Sequence, residues 1–400
     1  MRDVIEVGGT SERPPGGAVD QAPSGARFVG SAPTSVAVFL AETSGGGERP
    51  PTKLASWKGF EAAARLADGA SDAEQTTRRI LVSKTLWAAV HGWFANGGGE
   101  CYLAPVVGPG GLADTLKQLE SLDEIAIVLA PDLWSGTTDQ EASQEAAGLI
   151  ADHCQQMADR VAVLHLPNEA PPGNVAATLG VESAEARRYA TAYYPWINVQ
   201  DPGDPNAAPL TVPAIGHAAG VWARVDQDRG VHKAPANEGL RGVLGLTHEL
   251  SDAEHRALND QGVNAIRNFP GSGPLIWGAR TLAASDETEV ENSYLNVRRA
   301  VNSLRRSIRR STTWAVFEPN DERLQTSVRA MVTSFLTGLW RRGVLVGRSA
   351  EEAFYVVCDE TNNPPERGSQ GKLLVQIGVA LVRPAEFITF QVDQITERSS

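Results

Sequence analysis

The sequence predicts an α/β protein that carries a second, α+β domain toward its C-terminal end. Three observations lead there. Between Ser35 and Leu166 short apolar runs alternate with segments of helical spacing, the signature of a largely parallel sheet covered on both faces. From Tyr294 onward two amphipathic stretches, the first studded with arginine, replace that alternation. Beyond Leu373 apolar and polar residues alternate one by one, as in a sheet with one solvated face. At 400 residues and 42% hydrophobic composition the chain can bury cores for two domains, or for one domain carrying an insertion.

The elements follow in order. Val4 to Val7 can form a short strand, but Thr10 to Pro33 is rich in Pro, Gly and Ser and reads as a tether. Pulled straight, that tether spans roughly 80 Å, and as a flexible coil roughly 25–30 Å. A strand so tethered can reach a neighbouring subunit. The run from Ser35 to Leu40 reads as a buried strand, closed by Gly45 to Gly47 with Pro50 and Pro51. Trp57 to Leu66 and Thr76 to Ala95 have helical spacing, with Ile80, Leu81, Leu86, Trp87, Val90 and Trp93 mostly on one face. Strands follow at Cys101 to Val107, Ile125 to Ala130 and Val161 to Leu166, with a helix near Gln144 to Met157 between the last two. Tyr193 to Val199 reads as a further strand, Asp201 to Pro205 as a turn, and Gly216 to Arg229 as a helix ended by Gly230.

In the C-terminal domain, Ser285 or Asp286 offers a helix N-cap, with Glu287, Glu289 and Glu291 in the first turns where the helix dipole favours negative charge. Val290, Tyr294, Val297, Val301, Leu304 and Ile308 then recur every three or four residues as one narrow apolar stripe. Thr312 to Phe317 reads as a strand. Asn320 or Asp321 caps a second helix whose buried face is Leu324, Val328, Met331, Val332, Phe335, Leu336 and Leu339. Three strands are expected after it, with alternation at Leu373, Val375, Ile377, Val379 and Leu381, then at Ile388, Phe390 and Val392 beyond Pro384.

Bulk properties narrow the function classes. A net charge of −12 and a pI near 5.2 argue against a general nucleic-acid or membrane-surface binder, because polyanions are repelled on average. Cys101, Cys154 and Cys358 are odd in number and far apart, which fits reduced thiols rather than a disulfide framework or a CxxC site. No apolar stretch has signal-peptide or membrane-spanning length, so the expected place of synthesis and assembly is the cytoplasm.

No catalytic or metal constellation is expected. Asn96 to Gly99 follows a helix instead of preceding one and lacks the Lys-Ser/Thr of a phosphate loop, so it reads as a helix C-terminus. Gly108-Pro-Gly-Gly111 is a loop before a helix. His248 and His255 are wrongly spaced for a zinc protease, and adjacent His153 and Cys154 diverge by about 100° on a helix. His165 reads as a packed core histidine. No GxSxG surrounds a serine, and Asp201 and Asp204 read as a solvated turn. Arg298, Arg299, Arg305, Arg306, Arg309 and Arg310 stand apart, six cations in thirteen residues of an acidic chain. They form either a solvated helix flank or a basic strip that docks on an acidic partner.

Several stretches together resemble the contractile tail sheath proteins of phage tails and bacterial injection systems. In the C-terminal domain these are Trp277-Gly-Ala-Arg-Thr-Leu282, Tyr294 to Phe317, Glu318-Pro-Asn-Asp-Glu-Arg323 and Pro384-Ala-Glu-Phe-Ile-Thr-Phe390. Upstream they are Val4 to Val7, Phe94-Ala-Asn-Gly-Gly-Gly99, Asp123 to Val128, Tyr193-Tyr-Pro-Trp-Ile197, Gly230-Val-His-Lys-Ala-Pro-Ala-Asn-Glu238 and Gly262 to Arg267. Nearly the whole chain is covered, and its short length resembles the compact injection-system type.

The resemblance implies a C-terminal α+β core domain completed by the N-terminal segment, with an inserted α/β outer domain. The corresponding division is residues 1–34 as N-terminal arm and linker, 35–274 outer domain, 275–385 core domain and 386–400 C-terminal arm. It also implies a structural, non-enzymatic subunit that forms stacked hexameric rings around an inner tube and contracts to drive that tube through a target envelope. Baseplate and tail-terminator proteins are the further partners implied; cofactors, nucleic acid and membrane insertion are not expected. Val4, Ile5, Glu6 and Val7 at one end, and Phe387, Ile388, Phe390 and Val392 at the other, are the expected strand-exchanging arms. The six arginines are the expected inner-tube contact. A nucleotide-dependent α/β enzyme is the competing reading, since fold does not fix function.

Overall fold

The computed structural model describes residues 3–7, 28–43, 49–66, 80–108, 110–134, 139–170, 178–364 and 372–385. Most of the tether, the Gly45 to Gly47 turn and the C-terminal arm with Phe387, Ile388, Phe390 and Val392 lie outside the described residues. In the first half the strands are β1 (Asp3–Val7), β2 (Ala37–Thr43), β3 (Thr52–Leu54), β4 (Ala64–Leu66), β5 (Ile80–Val82), β6 (Cys101–Val107), β7 (Ile127–Leu129), β8 (Val161–His165) and β9 (Ala190–Tyr194). They continue as β10 (Ile197–Val199), β11 (Leu210–Val212), β12 (Glu238–Gly239), β13 (Val243–Leu246), β14 (Val263–Phe269), β15 (Gly273–Trp277), β16 (Phe354–Val357) and β17 (Val375–Val379).

The main sheet runs β12-β15-β14-β9-β8-β7-β2-β6-β3. It is parallel from β14 to β6 and antiparallel at its edges. Because side chains on a strand alternate faces, Ala37, Phe39 and Ala41 enter one core while Val38 and Leu40 enter the other. Helices Lys84–Ala95 and Ile215–Arg229 cover the first face; Gly111–Leu119, Gln140–Met157 and Asp252–Asp260 cover the second. The first pair lies backbone to backbone. A Cβ at Gly216 would stand 2.2 Å from the Ala89 carbonyl oxygen.

Several boundaries differ from the sequence reading. The helix expected from Thr76 starts only at Lys84, where the Ser83 side chain accepts from the Leu86 N–H, and Ile80–Val82 instead pairs with β4. The stretch Tyr193 to Val199 is divided between two sheets, with Pro195, which has no N–H to donate, at the break.

A third core joins the arginine helix (Leu295–Ser311) to the second helix (Glu322–Arg341) and to a small antiparallel sheet, β1-β17-β16. Asp321 caps the second helix as expected, accepting from Leu324 N–H at 2.9 Å. The arginine helix starts later than expected. Leu282–Ser285 and Glu287–Glu289 are separate 3-10 turns, Asp286 caps only the latter, and Val290 is exposed. Thr312 to Phe317 is no strand: Thr313–Ala315 forms a 3-10 turn, leaving Val316 and Phe317 exposed. The N-terminal strand reaches this domain, with Asp3 opposite Val379, Ile5 opposite Ile377 and Val7 opposite Val375.

Candidate functional site at the arginine helix and the chain end

The arginine helix crosses the sheet where β2, β7 and β8 begin, and the loops entering those strands carry carbonyls that no ladder satisfies. Its arginines supply the donors. Arg306, 1% exposed, donates to the carbonyls of Pro33 at 2.8 Å and Ile125 at 2.7 Å, to Glu124 at 3.3 Å, and to Asp159. Its nearest carboxylate, Asp159 Oδ1, is 4.0 Å away. Burial pushes the Arg306 guanidinium down to about 10, so it stays charged at neutral pH.

About two turns earlier, Arg299 grips Asp226 through both nitrogens, at 3.0 and 2.6 Å, with both side chains buried. Its guanidinium lies 4.6 Å over the Trp222 ring, and Thr34 completes the group by donating its hydroxyl to Asp226 at 2.5 Å. Arg160, fully buried, holds Asp159 at 3.0 Å and the carbonyls of Leu119 and Leu122. Beside it the His153 imidazole is pushed down to about 4 by burial and by the Arg160 charge. Residues 30–34, read from sequence as the end of a loose tether, are fastened here too: Gly30 and Ala32 donate to the Ser311 and Ser307 hydroxyls.

The expectation of one outward basic strip is therefore corrected for Arg299 and Arg306. They are buried inside the chain, clamping the C-terminal domain onto the α/β body, because only their forked donors can meet several carbonyls and a carboxylate at once. Arg298 stacks 4.5 Å from the Tyr189 ring and donates to Asn292. Arg309 bridges Asp123 at 3.3 Å and Asp159 at 3.2 Å while still partly in solvent. Arg305 is half-buried and Arg310 exposed. Sequence reasoning missed Asp159, Arg160, Asp226 and Trp222. The charged pair Asp159-Arg160, wedged between a helix and the apolar run Val161 to Leu164 of β8, was the one available signal.

At the chain end, Val4, Ile5, Glu6 and Val7 add an outer strand to β17, whose other side is held by β16. The expectation placed this strand on a neighbouring subunit; in the single chain it lies on its own. Among the described residues no three His, Cys, Asp or Glu side chains converge as a metal group, and no helix is long and apolar enough to cross a membrane.

This combination of a two-faced parallel sheet, a clamped C-terminal α+β domain and an N-terminal strand that completes it defines a class, and the chain belongs to the contractile tail sheath family. Residues 106–282 match the phage tail sheath protein central domain and residues 290–395 the phage tail sheath C-terminal domain. The chain is 32% identical to the tail sheath protein of Burkholderia phage BcepMu over 51% of its own length and 42% of that protein. It thus spans less than half of that relative, and 26% of the Vibrio phage KVP40 tail sheath protein.

Solved structures cover far more. The sheath complex of an extracellular contractile injection system, PVC, in its contracted state has a TM-score of 0.73 and 30% identity, covering 96% of this chain and 98% of that one. The helical sheath of the anti-feeding prophage in its contracted state has a TM-score of 0.74 and 29% identity, covering 95% and 99%.

Proposed function

We propose that this chain is the sheath subunit of a contractile injection particle. Copies form stacked hexameric rings around an inner tube, and contraction drives the tube through a target envelope. Membership of the family and likeness to two sheaths solved in the contracted state support the reading. The role is structural: energy is stored in contacts between subunits and released as they move from a metastable to a lower-energy lattice, without nucleotide hydrolysis by this chain.

The observation that carries the reading is the five-residue ladder between β1 and β17, at the outer edge of a sheet. Residues 8–27 join β1 to the body, a contour of roughly 65 Å at about 3.3 Å per residue. The same register can be filled by the strand of a neighbouring copy, and a handful of backbone hydrogen bonds at roughly 0.5–1.5 kcal/mol each then links subunits while their rigid bodies rotate. The C-terminal arm, Phe387 to Val392, serves as a second such link. Arg305 and Arg310, the arginines left outside the clamp, face the inner tube. Baseplate and tail-terminator proteins cap the lattice, which assembles in a bacterial cytoplasm and is released on lysis.

Deleting residues 1–10 tests the reading. Folded monomers that give no tubes in negative-stain microscopy are expected. Normal polymers from the shortened chain contradict it.

A further inference from the structure

We propose that the loop Val316-Phe317-Glu318 of one copy seats in a cleft of a second copy, as a head-to-tail contact between sheath subunits. The inference rests on the polymer reading above and names a contact separate from the strand arms.

The cleft, about 650 Å³, lies between the α/β body and the C-terminal domain. Arg229, His232 and Lys233 wall one side and Trp277 another, with Asn296 at the base and Pro384 at the rim. No Asp or Glu is among its described lining residues, so the charged side chains on its wall are basic in an acidic protein. The Lys233 ammonium donates to the carbonyls of Ala234 and Ala236, and burial holds its pKa below the ordinary lysine range. Asn296, 1% exposed, donates through Nδ2 to the His232 and Val382 carbonyls, while its Oδ1 accepts no hydrogen bond from the described residues. A buried acceptor without a donor beside a roomy cleft marks a surface built to be covered. Five of the lining residues, His232, Lys233, Ala234, Ala236 and Asn237, belong to Gly230 to Glu238, a stretch that neither the clamp nor the arms use.

The loop supplies the complementary chemistry. Phe317 is 88% exposed and Val316 52%, so an aromatic and a β-branched side chain stand in water side by side. Phe317 also has φ +70°, a left-handed conformation unfavourable for a bulky residue and of no evident use to the fold of a single chain. Exposed Glu318 follows, with Asp321 and Glu322 behind it and Arg323 beyond. Aromatic against Trp277 and carboxylate against Arg229 and Lys233 is a matched pair.

The geometry makes the contact propagate. Asn296 opens the 17-residue arginine helix and the loop follows its last turn, so cleft and knob sit about 25 Å apart at opposite ends of one rigid element. Unlike patches on opposite ends make a heterologous contact, which builds rings or helical filaments instead of closed two-fold dimers.

The test mixes two full-length populations, one carrying Glu318→Cys and the other Ala236→Cys in the cleft; the three native cysteines are buried. In assembled tubes under mild oxidation, a disulfide-linked dimer of one chain from each population is expected. Phe317→Ala and Lys233→Glu should each cut tube yield at least tenfold while circular dichroism of the monomer stays unchanged. Lys233→Glu combined with Glu318→Lys should restore tubes. Tubes at full yield from both single variants, with no mixed dimer, overturn the proposal while leaving the sheath reading intact. Cross-linking of the cleft cysteine only to a cysteine placed at residue 388 of the same chain assigns the cleft to the chain's own C-terminal arm, and also overturns it. A wild-type chain that never forms tubes overturns the sheath reading and this inference together.

Discussion

Arg306 is a charge held mainly by carbonyl oxygens, with its carboxylate partner at arm's length. Truncating it leaves buried acceptors and Asp159 short of donors, so Arg306→Ala should cost about 3–5 kcal/mol in urea unfolding, against under about 0.5 kcal/mol for exposed Arg310→Ala. Equal effects at the two sites contradict the clamp. Arg299→Lys keeps the charge but gives up the two-pronged grip on Asp226 and the Trp222 face, and should cost about 1–3 kcal/mol. The arginines were visible in the sequence and their destinations were not. A guanidinium flanking an apolar stripe reads the same whether it meets water or loop carbonyls, and Arg306 finds Asp159 across 147 positions of chain, Arg299 finds Asp226 across 73.

Elements were legible where a local pattern and the packing agree. The parallel strands and the helices Ile215–Arg229 and Glu322–Arg341 follow from apolar periodicity and caps that act within a few residues. Errors fell where two local preferences compete. Ile80-Leu81-Val82 fits a helical face but has the bulk of a strand, and Thr312 to Phe317 has strand composition but continues out of the preceding helix as a 3-10 turn. Packing also reverses a propensity: Gly216→Ala should favour the isolated helix by about 1 kcal/mol. In the protein the new methyl meets Ala89 backbone, so a net loss of about 1–3 kcal/mol in chemical denaturation is expected. A stabilised variant contradicts the close approach of the two helices.

Across the whole molecule, buried histidines couple stability to acid. Burial pushes His217 down to about 3 and His165 to about 4, with His153 also near 4, and His91 and His232 shift the same way. In the folded state they are neutral, whereas the unfolded chain binds protons near pH 6.5, so their contribution is full above that pH and is lost as pH falls toward about 4. Asp132, raised to about 6 by burial, opposes this as pH falls below that value, and Glu42, which burial also raises, acts in the same sense. The melting temperature of the monomer should therefore drop by roughly 5–10 °C between pH 7.5 and 5.5. A flat profile contradicts neutral burial of these rings.

The assembly itself turns on which copy supplies β1. The sequence suggests a reachable strand, the single chain shows its register, and the lattice must decide its owner. Cryo-electron microscopy of assembled tubes is the most direct measurement. The strand lying on Val375–Val379 of each subunit should trace back through residues 8–27 into an adjacent subunit. Density that joins every such strand to the subunit it already lies on, in an intact tube, would contradict it.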